Sequence, residues 1–483
     1  MSKELQKSHS KPCLHNRNKR GVAMFPSHFH TKLVSIAVAS ALSAIPLTSQ
    51  ASGFALIEQS ASGLGNSYAG SAAAAEDAST VYFNPAGMSL LPGGKQFSIV
   101  GHYIMPSAKF NNGSSVNASF VPTGNFGGDP GVSAFVPNAY FTMDLGPKWN
   151  LGIGLGAPFG LSTKYDSAWG GRFQAIESKI ETVNINPAVS YKVNETVSLG
   201  FGVNYQKIDA TLTSNANYGA ATFSGAVAAG ATQGAAATAA NAVTQKEGLT
   251  TLKGSDSAWG WNVGAMFKLT PQTRLGLAYR SAIKYTATGT VQFDNRPAAL
   301  AAAIPNGNIK LELKVPDNAS VALSHNINDR WQILTDATWT GWSSLQKFEV
   351  TRTDNIPASG ATLNNIPYNW KDTWRVGVGA NHKMSDSWLL KMGVAYDQTP
   401  TNNIDRGPRL PDGDRTWLSL GAKYSMSKAS VIDFGYAHLF VANVPINQNA
   451  GGNLSNSTAA YGLINGSYSG SVDILSASWT YSF

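Results

Sequence analysis

Five stretches of this chain alternate, residue by residue, between apolar side chains and small ones. In "VSLGFGVNYQ", positions 197–206, Val197, Leu199, Phe201, Val203 and Tyr205 fall on one side and Ser198, Gly200, Gly202, Asn204 and Gln206 on the other. Period-two alternation is the mark of a β-strand with one apolar face. "WLLKMGVAYD", "RTWLSLGAKYSM", "KWNLGIGLG" and "TWRVGVGANHK" repeat the pattern, each with aromatic and aliphatic residues opposite glycines and polar residues. In a soluble sandwich the apolar face would meet a second sheet. Lipid on the apolar side and a lumen on the other accounts for all five.

The composition fits a membrane barrel. Charged residues make up 13% of the 483 residues, against roughly 25% in soluble domains. The mean hydropathy of −0.12 speaks against helical spans.

The N-terminus reads as an export signal. After Lys32 comes a fifteen-residue apolar run, "LVSIAVASALSAIPL", too short for a spanning helix. "TSQA" then sets Ser49 and Ala51 at the −3 and −1 positions of a cleavage site, which predicts removal of residues 1–51 and a mature start at Ser52. Met24 offers an alternative initiator, since "MFPSHFHTK" is a more ordinary leader start. Seven of the thirty-six Lys and Arg residues and one of the twenty-eight acids lie in 1–51, which leaves 29 basic residues against 27 acidic. The basic excess thus belongs to the leader, and a nucleic-acid partner has no support. The single cysteine, Cys13, leaves with it, so neither disulfides nor a thiolate metal site is expected.

Six short turn signals, at 146–148, 193–196, 270–273, 326–329, 384–387 and 426–429, alternate with seven long polar or glycine-rich connections near 111–131, 161–172, 211–252, 289–308, 343–366, 399–411 and 444–467. Thirteen connections link fourteen antiparallel strands, an even number with the short turns on the periplasmic side. Trp149, Trp331 and Trp388 each follow a short turn, as an interfacial girdle would. The chain ends "DILSASWTYSF", with Phe483 on the apolar face, like the signal read by the outer-membrane assembly machinery. The fold class predicted is an all-β transmembrane barrel, residues 94–483, set in outer-membrane lipid and lipopolysaccharide.

Residues 52–93 do not alternate. Fourteen strands enclose more than their own side chains fill, so this segment is predicted to be a partly helical hatch inside the lumen. Asn84 is placed to cap a short helix with Pro85 at its first position.

"SGFALIEQSASGLGNSYAG…EDASTVYFNPAGM" resembles the N-terminal hatch of FadL-type outer-membrane transporters of long-chain fatty acids, with Asn84, Pro85 and Ala86 where that family has its NPA motif. "FVPNAYF", "PFGLSTKY", "LKVPDNASVALSHNINDRW" and "LPDGDRTWLSLGAKY" extend the likeness over 52–483. The resemblance implies a monomeric barrel closed by its hatch and working without a cofactor. It would take hydrophobic small molecules, fatty acids or aromatic and aliphatic hydrocarbons, from surface loops into an apolar pocket and out sideways at a kinked third strand.

Pro158 stands inside the third strand pattern and denies it a ladder donor. With Gly156 and Gly160 beside it to ease a bend, it is the candidate for that lateral gate. The alanine-rich stretch in 211–252, helical in part, with "AALAAAIPNG" at 298–307, is the candidate surface groove. A carboxylate head group needs a cation or donors. Inward parity offers Arg280, Arg375 and Arg415, though lumenal arginines also pair with hatch acids such as Glu76 and Asp77. Phe54, near the start of the hatch, is a candidate apolar stopper. Catalysis is not expected: residues 52–483 hold four histidines (His102, His325, His382, His438), and the nearest string to a nucleophile elbow, "GSYSG" at 466–470, has Tyr468 at its centre. An open porin would not need the hatch.

Overall fold

The structure is a computed structural model, described here for residues 53–354, 360–449 and 457–483. The expected leader and its cleavage point before Ser52 lie outside these residues. No described helix is long and apolar enough to cross a membrane. Among the described residues there are nineteen β segments. The third, seventh, eighth, ninth and tenth strands are each broken in two, so the segments make fourteen antiparallel strands. The first strand, Lys95–Asn112, pairs with the second, Ala134–Asp144, and on its other side with the last, Ile464–Ser482, which closes the barrel.

All six short turns are present, each four residues long. The alternation falls as expected: Trp388, Leu390, Met392 and Val394 face outward while Lys391, Gly393 and Ala395 are enclosed. Trp149, Trp331 and Trp388 lie exposed beside the turns, against Tyr191, His382 and Tyr424.

Most long connections are shorter than the sequence implies, because the strands continue beyond the membrane; 211–252 contracts to 218–246. These extensions carry charged side chains on their outer wall, including the pairs Lys179–Glu181, Lys207–Asp209 and Lys284–Glu312. Such charges are costly against hydrocarbon, so this part stands in water. The change of solvent is built into the seventh strand. In Thr273–Arg280 the odd residues Leu275, Leu277 and Tyr279 point outward; in Ile283–Phe293 the odd residues Ile283, Tyr285, Ala287 and Val291 are buried inside. Strand-six residues Ser255 and Asn262 pair with Thr288 and Arg280, so six residues on one side face seven on the other. That one-residue bulge turns the strand over. The eighth strand inverts likewise at Pro316 and Asp317: Leu311, Leu313 and Val315 point in, Val321 out. The inverted rows build an apolar upper lumen, where Ile283, Tyr285, Leu311, Leu313, Phe348 and Val350 meet Phe54, Phe159, Trp342 and Trp370.

Residues 53–91 fill the lower lumen with short helices at Ala61–Leu64, Ser71–Ala74 and Thr80–Phe83 and a 3₁₀ turn at Pro85–Leu90, which touch strands around the wall. The inward glycines, which the sequence assigns to the lumenal face, are where the hatch backbone lies on the barrel. A Cβ at Gly264 would stand 1.9 Å from Asn84 Oδ1, one at Gly200 2.2 Å from the Ala86 nitrogen, and one at Gly276 1.9 Å from the Ala72 carbonyl oxygen. Asn84 caps the 3₁₀ turn by accepting from the Ala86 amide (3.1 Å), and its Nδ2 donates to the carbonyls of Ala72 (2.7 Å) and Ala265 (3.1 Å).

Charge completes the seating. Glu76 accepts from Lys391, from Lys423 (2.9 Å) and from Ser62 (2.6 Å). Burial alone would raise the Glu76 carboxyl, but the two ammonium groups and these hydrogen bonds hold it well below the usual carboxylate range. The acid partner expected for lumenal arginines therefore serves lysines instead. Asp77 caps the Ser79 amide at 2.8 Å.

Candidate functional site

The third strand is interrupted between Trp149–Gly156 and Gly160–Lys164, at the position of Pro158. Pairing between the second and third strands runs only as far as Ala139–Leu155. Above it, the nearest contact is a single bridge from Gly131 to Thr163. The wall between is open. A cavity of about 910 Å³ occupies it, lined from inside by Phe54, Phe159, Leu439 and Ile474 and from the lipid side by Phe135 and Val183.

The free edge of the broken strand is taken by the hatch. Leu56 N donates to Pro158 O (2.8 Å), Gly160 N donates to Phe54 O (3.0 Å), and Ala55 bridges Phe159. Gly156 and Gly160 leave no room for a side chain: neither has positive φ, and a Cβ on them would meet Gln59 Oε1 at 2.5 Å and Leu56 Cδ1 at 2.8 Å. Phe54 is buried against Phe159, Trp342 and Trp370, with ring centroids 5.9, 5.0 and 5.9 Å away.

The three candidate arginines come together around a second cavity of about 110 Å³ that also touches Glu58, Asp397 and Trp417. Arg375 pairs with Asp336 (3.4 Å) and donates to Ser67 O; Arg415 pairs with Asp412 (2.9 Å). Arg280 has no carboxylate in ion-pair range among the described residues: it donates to Asn204 and to Tyr82 O (2.9 Å) and lies over the Tyr82 ring. Arg415 and Glu58 line the large cavity as well. Burial, offset only in part by Arg415 and Arg375, pushes the Glu58 carboxyl up to about 7.

A third cavity, of about 200 Å³, lies at the barrel mouth between Leu252, Val291, Phe293, Ile366, Tyr368 and Trp370, with Arg406 and Arg409 in its wall. A small void lined by Arg409, Leu410, Trp370, Leu161 and Phe54 separates it from the large cavity. The alanine-rich segment forms helices at Tyr218–Ala228 and Gln233–Ala242, but neither these nor 298–307 line any of the cavities described. The cavities described thus do not include the expected groove. The chemistry of the mouth cavity comes partly from "RGPRLPDGDR", which the sequence presents as a polar connection. Arg406 and Arg409, four residues and one residue before the apolar Leu410-Pro411, were the available signal. Among the described residues no cluster could hold a metal ion.

Residues 42–483 match the family model described as outer membrane protein transport protein (OMPP1/FadL/TodX). The chain is 29% identical over 433 residues to the long-chain fatty acid transport protein of Escherichia coli K12, covering 86% of this chain and 94% of that one. It is 31% identical over 416 residues to outer membrane protein P1 of Haemophilus influenzae, covering 80% and 86%. Among solved structures, a Pseudomonas aeruginosa FadL homologue superposes with a TM-score of 0.78 at 27% identity, over 89% of this chain and all of that one. The Pseudomonas putida toluene transporter TodX shares the fold, with a TM-score of 0.62 at 17% identity over 89% and 99%. The chain belongs to this FadL/TodX family of outer-membrane transport proteins for hydrophobic substrates.

Proposed function

We propose that the protein carries long-chain fatty acids from the cell surface into the outer membrane, with lateral exit at the third strand. The observation that carries this is the cavity at Pro158, lined by side chains from both faces of the wall. An acyl chain leaving there passes from an apolar lumen to lipid without crossing water, which would cost about 0.8 kcal/mol per CH₂. Capture takes place in the mouth cavity, Phe54 closes the way onward, and Gly156, Pro158 and Gly160 frame the gate. The hatch seated in the lumen speaks against a general porin, and two arginines at the mouth favour an anionic amphiphile over a bare hydrocarbon.

Since the hatch holds the edge at 158–160, β-forming substitutions there would not extend the pairing to the second strand. Ala157→Trp instead puts an indole into the gap. Cells lacking their own transporter and expressing this variant should bind labelled oleate at the surface but take it up at least about tenfold more slowly. Normal uptake by a folded Ala157→Trp protein would rule out lateral exit. Faster uptake of labelled toluene than of oleate by the unaltered protein would favour the hydrocarbon reading.

A further inference from the structure

This inference rests on the transport reading above and names the group that recognises the cargo. Arg409 lies in the loop between the eleventh and twelfth strands, with 6% of its surface exposed. Its Nη1 donates to Glu177 O and Ser178 Oγ (both 3.1 Å) and its Nη2 to Thr213 O (3.2 Å). Its Nε is buried and has no partner. No carboxylate lies in ion-pair range of it among the described residues. Three other buried arginines, Arg172, Arg352 and Arg375, are each paired with an acid, whereas Arg280 rests on Asn204 and on the Tyr82 carbonyl and ring. The one acid lining the mouth cavity, Asp405, is turned to Asn369 and Asn402.

A buried guanidinium without a counter-charge is costly, because solvation is lost and no Coulombic gain replaces it. Burial accordingly lowers the Arg409 pKa to about 10, still charged at neutral pH. The cavity beside it has one wall of Leu252, Val291, Phe293, Ile366 and Trp370 and elsewhere carries neutral polar groups such as Asn215 and Asn364.

We propose that Arg409 is the counter-ion for the carboxylate of a long-chain acid bound in the mouth cavity, its tail lying along Leu252, Val291, Ile366 and Trp370. The ligand brings the missing negative charge, and the apolar wall takes the chain. The site would then bind a free acid in preference to its ester or to a hydrocarbon.

The test uses purified full-length protein in neutral detergent. Dibromostearate and its methyl ester are the probes, read by quenching of tryptophan fluorescence, since Trp370 lines the cavity. Arg409→Met should weaken dibromostearate binding about ten- to hundredfold and leave the ester within about twofold; Arg409→Lys should keep most of the preference. Equal weakening of both probes would make Arg409 a brace for the loop and overturn the proposal, as would unchanged binding of both. If Arg409→Met does not fold, Arg409→Gln, which keeps donors for the Glu177 and Thr213 carbonyls, carries the same comparison. An unaltered protein that binds neither probe refutes the transport reading itself, whereas one that binds both equally refutes only the role of Arg409.

Discussion

The amide of Gly160 donates a hydrogen bond to the carbonyl of Phe54 at 3.0 Å. The first described residues of the hatch thereby stand as a strand fragment beside the break in the barrel wall. With the bond from Leu56 N to Pro158 O, this contact couples the plug to the gap, and the Phe54 ring reaches from there into the aromatic cluster of the upper lumen.

Phe54→Ala should open the passage between the mouth and the large cavity. Truncating a buried phenylalanine costs about 3–5 kcal/mol locally, but the barrel ladders are untouched, so the protein should still fold. Initial uptake of labelled oleate should rise severalfold while surface binding weakens. Unchanged kinetics would mean that Phe54 is packing and not a barrier.

Gly264→Val should unseat the hatch, since its Cβ would press on Asn84 Oδ1. Asn84→Ala is the milder partner: it removes the cap on Pro85–Leu90 and the bonds to Ala72 and Ala265, at a cost of about 1–3 kcal/mol. Planar-bilayer recordings should show steps of conductance for Gly264→Val and rarer openings for Asn84→Ala. A silent Gly264→Val channel would show that the hatch is held by other contacts.

Glu76→Gln removes the carboxylate that Lys391 and Lys423 share and leaves them only Asp433, 3.9 Å from Lys423, for a loss of up to about 3–5 kcal/mol. The Glu76 pKa is depressed in the folded state, so its contribution is complete above the unfolded value of 4.5 and fades only as pH falls through the lower folded value. Protease cleavage of the hatch should therefore be faster in the variant at pH 7. In the unaltered protein it should stay slow down to pH 4.5. A hatch released at pH 6 in the unaltered protein would contradict this.

Glu58 works in the other direction. Its folded pKa of about 7 lies above the unfolded 4.5, so between them the folded protein holds a proton that the unfolded chain releases. Stability then falls as pH rises from 4.5 through 7, by on the order of 3 kcal/mol for this group. Urea unfolding of Glu58→Gln should lack that part of the slope. Parallel pH profiles for the two proteins would sink the assignment.

The lipid-facing rows were legible from the chain alone because hydrocarbon tolerates no break in them: Trp374, Val376 and Val378 announce their face by being apolar at every second place. The inversion of the seventh strand was not, since its odd residues are apolar on both sides of Ser281 and Ala282 and only the bulge distinguishes lipid from lumen. Asn84 declares its cap locally. What it leans on, Ala265, is far away in the chain, and Gly264 carries no side chain that could hint at the contact. Arg280, Arg375 and Arg415 could be placed inside by parity. Their partners depend on which strands close over which part of the hatch, and Arg409, sitting in a loop, has no parity to read.

The one-residue bulge in the seventh strand also limits how this wall can change length. Deleting one residue at Ser281 or Ala282 would restore the ordinary register, and every side chain above it would change sides. Tyr285 and Val291 would then face water, and Lys284 and Thr286 the cargo. Only changes of two residues, or changes in the loop beyond Phe293, would keep the lumenal face, so the bulge acts as a reading frame for the upper barrel.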